Sequence, residues 1–73
     1  MITLAEAKQL AYREVLVDPW GKRWYVNGAV QTWKRDPSRI RVPLKHGLYR
    51  YDFIDGSDFD ANGECHQLTR EVH

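Results

Sequence analysis

The feature that most constrains this chain is the stretch from Trp24 to Leu48, where alternating apolar residues are interrupted by turn-forming residues at short intervals. Alternation with period two places every second side chain on one face, as a half-buried strand requires. Asn27-Gly28 stands between two such runs. Both residue types tolerate positive φ, so the dipeptide predicts a two-residue type I′ turn and a β-hairpin. The loop length then sets the register, with Val26 facing Ala29, Tyr25 facing Val30 and Trp24 facing Gln31. Trp24, Val26, Ala29 and Trp33 share one face in that register, and the two tryptophans are expected to anchor the core. Arg23, Tyr25, Val30 and Thr32 share the other.

The flanking segments read as further short elements. Thr3 and Glu6 have capping-box spacing and open a short helix with an apolar stripe of Leu4, Ala7, Leu10 and Ala11. A helix shorter than about 12 residues needs tertiary packing, so it is expected to lie across one mouth of a sheet. Glu14 to Val17 forms a first strand, and Asp18-Pro19-Trp20-Gly21 the turn that follows it. Lys34 to Ser38 reads as a polar loop, because the Asp36-Pro37 step disfavours helix at Asp36. Arg39 to Val42 then alternates, with Ile40 and Val42 inward and both arginines outward. Pro43 lacks a backbone donor and is expected to end that strand or hold it at an edge. Leu48 to Ile54 alternates again; Tyr51 and Phe53 are assigned to the core and Ile54 to the opposite face. The fold class is α+β, a short N-terminal helix followed by a small antiparallel sheet of four to five strands in an SH3-like half-barrel. Residues 1–73 are expected to form one domain, ordered over about residues 2–66, with Gln67 to His73 a loose tail.

Composition narrows the function classes. With 73 residues there is room for one modest core, and the lone Cys65 excludes an intrachain disulfide. Aromatic burial in a reducing cytoplasm is the expectation. No run approaches the roughly 20 apolar residues of a membrane span. The opening residues lack the basic and apolar regions of a signal peptide, so no membrane partner is expected. A formal net charge of +1 argues against strong sequence-independent binding to nucleic acid. The charges are nevertheless segregated along the chain. Lys34, Arg35, Arg39, Arg41, Lys45 and Arg50 form a basic block broken only by Asp36, and Asp52, Asp55, Asp58, Asp60 and Glu64 form an acidic one. An electrically two-sided molecule is expected.

Asp58-x-Asp60-x-Asn62-Gly63 matches the first half of an EF-hand loop, but Thr69 occupies the twelfth position, where a bidentate Glu is required. A solvated turn is the better reading. His46, His66, His73 and Cys65 lack the paired spacing of zinc ligands. Cys65 and His66 are adjacent in an extended segment and so point apart, which is wrong for a nucleophile and its base. No catalytic residue, cofactor or metal is therefore expected, and the chain reads as a non-enzyme. The basic strand reads instead as a binding surface made of Lys34, Arg35, Arg39, Arg41, Lys45 and Arg50, with Tyr25, Tyr49 and Trp20 nearby. Lys8 and Arg13 offer a second patch. Edge strands also carry Lys and Arg merely to avoid edge pairing. A protein partner is favoured over nucleic acid, because the acidic block would repel phosphate.

The motif Val26-Asn27-Gly28, Thr32-Trp33-Lys34-Arg35-Asp36-Pro37 and Arg39-x-Arg41-Val42-Pro43-Leu44-Lys45-His46-Gly47-Leu48-Tyr49 resembles a family of small proteins encoded by tailed bacteriophages. The Leu4-x-x-Ala7-x-x-Leu10 segment shares that resemblance, which spans roughly residues 2 to 54 and leaves the chain from Gly56 onward without a counterpart. In size and character the chain is also similar to small early proteins of lytic phages that bind host RNA polymerase. That resemblance implies a non-enzymatic regulator of transcription in the host cytoplasm, acting by inhibition of initiation or by antitermination; a monomer is the expectation for the chain itself. The alternatives are a small nucleic-acid-binding domain that uses the same strand and a phage assembly component that self-associates.

Overall fold

The computed structural model describes residues 1–48 and 50–71, and the side chains of all of these except 50–53. The elements are β1 (Ile2–Thr3), α1 (Leu4–Lys8), β2 (Val15–Val17), β3 (Arg23–Val26), β4 (Gln31–Trp33), β5 (Asp36–His46), β6 (Arg50–Asp55), a 3₁₀ turn (Gly56–Asp58), β7 (Glu64–Cys65) and β8 (Thr69–Arg70). The capping box forms as predicted. Thr3 Oγ1 accepts the Glu6 N–H at 3.1 Å, and Glu6 Oε1 accepts the Thr3 N–H at 3.1 Å. The helix is only five residues long; burial of Ala7 and Leu10 holds it in place, and Ala11 is exposed.

Strands β2 to β6 form a curled antiparallel half-barrel of α+β class, to which β8 adds a short sixth strand. β5 is its spine. At about 3.3 Å per residue, eleven residues reach about 36 Å. That reach is comparable to the 34 Å long dimension of the molecule. One edge of β5 pairs with all of β6. The other edge pairs with β3 through Tyr25↔Lys45 and Val26↔Leu44, then with β4 through Gln31↔Arg41 and Thr32↔Ile40.

That pairing overturns the predicted hairpin. β3 and β4 are successive parts of one interrupted strand running antiparallel to β5, and they do not pair with each other. Gly28 is absent from the residues with positive φ, so the conformation a type I′ turn needs is not adopted there. The glycine serves a different purpose: a Cβ at that position would lie 3.1 Å from Pro43 Cγ, so it lets the proline ring approach the backbone. The true hairpin joins β4 to β5, with Trp33 paired to Asp36 across a two-residue Lys34-Arg35 loop.

The consequence for side-chain direction follows from parity. A two-residue hairpin would reverse the inward set after Gly28, whereas a continuous strand keeps even-numbered residues inward. Trp24 and Val26 are buried and Val30 packs on the core, while Ala29 is exposed and Trp33 is only half-buried. Trp33 is therefore not a core anchor. Pro43 does not end β5 either. In an antiparallel strand a residue's N–H and C=O point to the same edge. Pro43 O accepts the Asn27 N–H at 2.9 Å, so its missing donor faces the interruption between β3 and β4.

The core gathers Leu16, Trp24, Val26, Ile40, Val42, Leu44 and Ile54 from the sheet with Ile2, Ala7, Leu10 and Cys65 from the N-terminal segment and β7. Ile54, expected on the outward face of β6, is 2% exposed. Tyr49 and the Tyr51 and Phe53 side chains lie outside the described residues, as do Val72 and His73. Of the stretch expected to be loose, Gln67 to His73, Thr69–Arg70 pairs with β2, and the Glu71 N–H donates to Val15 O at 3.1 Å. Arg70 reaches Glu14, and Arg23 meets Glu71 at 2.6 Å. The strand was missed because two residues are too short to show a period.

Candidate interaction site

The β4–β5 hairpin forms an arm. β6 pairs with β5 only from Arg41 to His46, so the Asp36–Ile40 half of β5 extends past it with β4 as its strand partner. Every residue from Lys34 to Arg39 is exposed. Asp36 Oδ1 accepts the Ser38 hydroxyl at 2.6 Å and the Ser38 N–H at 3.3 Å, which keeps the Asp-Pro-Ser corner in shape. Midway along the arm, a Cβ on Gly56 would come within 2.6 Å of Ser38 O, so the 3₁₀ turn rests directly on the β5 backbone.

Three of the predicted site residues meet on this arm. Lys34 and Arg35 occupy its tip, and the Arg39 guanidinium lies 4.1 Å from the centroid of the Trp33 ring. That separation is a cation–π contact, and it holds a planar fork of donors against a flat surface. Trp33 belongs to the site because parity turns it outward beside Arg39. Its role was hidden by the misplaced hairpin. Arg41 lies on the same face and lines a groove with Trp33, Ser38, Arg39, Asp55 and Ser57. Lys45 is six residues beyond Arg39, roughly 20 Å along the strand, and half-buried opposite Tyr25. The Arg50 side chain lies outside the described residues.

The second predicted patch is elsewhere. Lys8 ends α1, and Arg13 sits in a turn with its guanidinium 5.5 Å from the Tyr12 ring centroid. Trp20, expected near the basic strand, stands at the β2–β3 turn, where it is 85% exposed and shares a concavity with Leu44 of β5, at the other end of that strand from Lys34, Arg35 and Arg39.

The two-sided charge expected from the sequence does not survive pairing. β5 carries the basic block and β6 begins the acidic one, and their register places Arg41 directly opposite Asp55. Hydrogen bonds from the Ser57 hydroxyl and N–H hold the Asp55 carboxyl below its ordinary pKa, so it stays ionised beside Arg41. With Asp36 also on the arm, the surface presents both signs at close quarters. On the arm itself, Lys34, Arg35 and Arg39 outnumber Asp36.

The Asp58-to-Gly63 segment forms a turn, with Phe59 packed against the core. Asp60 Oδ1 accepts the N–H groups of Asn62 at 2.9 Å and Glu64 at 3.0 Å, and Gly63 takes φ +73°. The Glu64 N–H is the main cause of a lowered Asp60 pKa; burial opposes it, and Asn62 and His66 reinforce it. Asp60 in this turn, half-buried Glu64 of β7 and exposed His66 after it can bring ligand atoms within 4.8 Å of one another. Among the described residues no helix is long and apolar enough to cross a membrane. No protein-family model, curated protein or solved structure matches the chain.

Proposed function

We propose that this chain is a non-enzymatic, phage-type binding module that docks its β4–β5 arm on bacterial RNA polymerase in the host cytoplasm and so regulates transcription. The observation that carries the docking surface is the arm itself: Lys34, Arg35 and a Trp33-stacked Arg39 on an exposed two-stranded projection. Arginine and tryptophan are the residue types that dominate interface energetics when they become desolvated together. The choice of polymerase rests on the resemblance to small phage proteins. A protein surface is the better match to an arm that mixes Asp36 with its cations, because a partner of mixed sign can satisfy both.

The Arg39–Trp33 stack also suits a single-stranded nucleic acid, whose bases stack on such platforms. Asp36 and Asp55 in the same groove oppose phosphate and place that reading second. A pull-down from nuclease-treated bacterial lysate separates the two, using wild type beside a Lys34→Ser, Arg35→Ser, Arg39→Ser variant whose changes are all at exposed positions. Polymerase subunits retained by wild type alone support the proposal. Retention by both proteins, or by neither, counts against it.

A further inference from the structure

A second concavity lies away from the arm, between the β2–β3 turn and the segment after β7. Its volume is about 370 Å³, enough for one large side chain. The inner wall is apolar and comes from Trp24, Leu44, Ile54 and Leu68, of which the first three are core residues. Trp20 stands at its edge with 85% of its surface in water. An exposed tryptophan beside an apolar hollow is the anatomy of an interface anchor rather than of a solubilised loop.

The polar residues around this hollow define what it accepts. Asp18 and Asp58 both line it, with the neutral Gln67 and one cation, Lys22. Asp18 is fixed in place: its Oδ1 accepts the Trp20 N–H at 3.0 Å and the Lys22 N–H at 2.8 Å, and its Oδ2 accepts the Trp24 indole N–H at 3.2 Å. Burial would raise its pKa, but these hydrogen bonds outweigh burial and keep the carboxylate charged. Asp58 uses Oδ2 on the Asp55 N–H at 2.8 Å, and Ser57 precedes it in the 3₁₀ turn. Two tryptophans and two carboxylates around an aliphatic floor match a guanidinium on an alkyl stem, whose methylenes lie along apolar surface while its head meets aromatic faces and anions.

We propose that this hollow is a docking site for an arginine side chain of a protein partner. The inference stands on the hollow alone and does not depend on what the arm binds. It is tested on the full chain by following the three tryptophan indole N–H signals in ¹H–¹⁵N spectra during titration with N-acetyl-arginine amide, and in parallel with N-acetyl-citrulline amide, its uncharged near-isostere. Arginine should shift the Trp20 and Trp24 signals, leave Trp33 on the arm in place, and bind about tenfold tighter than citrulline. Lys22→Gln removes the like charge and should tighten arginine binding about threefold. Trp20→Ala, a change at an exposed position, should weaken it. Equal binding of arginine and citrulline, shifts centred on Trp33, or no response of Trp20 and Trp24 would each overturn the proposal.

Discussion

Replacing Trp24 and Trp33 separately by alanine tests the central structural result, that β3 and β4 are one interrupted strand. Trp24 is 7% exposed, belongs to the core cluster and donates its indole N–H to Asp18. Removing a buried tryptophan of this kind costs about 3–5 kcal/mol. A chain of 73 residues has a total stability of roughly 4–11 kcal/mol at about 0.05–0.15 kcal/mol per residue, so Trp24→Ala should remove from about a quarter of it to all of it. Trp33 is half-buried on the outward face, where its identified partner is the Arg39 guanidinium. An exposed cation–π contact is worth about 0.5–1 kcal/mol and the half-buried ring adds a part share of apolar burial, so Trp33→Ala should cost about 1–2 kcal/mol, clearly less than Trp24→Ala. Urea unfolding followed by far-UV circular dichroism reads both values without relying on tryptophan fluorescence. Equal destabilisation by the two changes would restore a hairpin at Asn27-Gly28, with both rings on the core face, and would refute the register described here.

Three further outcomes are expected. Gly56→Ala should destabilise by about 1–3 kcal/mol, because the new methyl meets the Ser38 carbonyl oxygen at 2.6 Å; an unchanged urea midpoint would separate the 3₁₀ turn from β5. Arg13 holds φ +71°, a region that costs an L-residue about 1–2 kcal/mol, so Arg13→Gly should raise the midpoint after part of the gain is offset by glycine's greater freedom when unfolded. A lower midpoint would contradict the turn geometry. Glu6, Asp18, Asp55 and Asp60 all titrate below their ordinary values of 4.5 and 3.8 in the folded chain. Groups with depressed folded-state pKa values add stability above the unfolded value and lose it as pH falls through the folded one. The thermal midpoint should therefore be level from about pH 7 to about pH 5 and fall below about pH 4, and a level midpoint down to pH 3 would contradict these hydrogen bonds.

What the sequence made legible was local. The Thr3/Glu6 capping box, the Asp18-to-Gly21 turn and the inward set Ile40 and Val42 each depend on residues a few positions apart, and each formed as expected. The errors came from competition between local preference and long-range pairing. Asn27-Gly28 favours a tight turn on its own, yet β5 offers eleven residues of edge, and pairing along that edge keeps the chain extended. Pro43 looked like a terminator because its missing donor counts against it only where a partner strand is present, and here the interruption lies opposite. These two departures are linked, since Gly28 and Pro43 pack on each other. Exposed Arg39 and Arg41 followed from alternation, but Trp33 could be assigned to the same face only once the parity was known. The interleaving of Arg41 with Asp55 depends on β5–β6 register, which no local pattern carries.

The most direct test of the account is the indole region of a ¹H–¹⁵N spectrum of the labelled chain mixed with purified bacterial RNA polymerase. Each tryptophan reports on a different part of the molecule: Trp33 on the arm, Trp20 at the second concavity and Trp24 in the core. Docking through the arm predicts that the Trp33 signal broadens, and that the Lys34→Ser, Arg35→Ser, Arg39→Ser variant abolishes the effect. A spectrum unchanged by polymerase, or a complex in which Trp33 stays sharp, would contradict it.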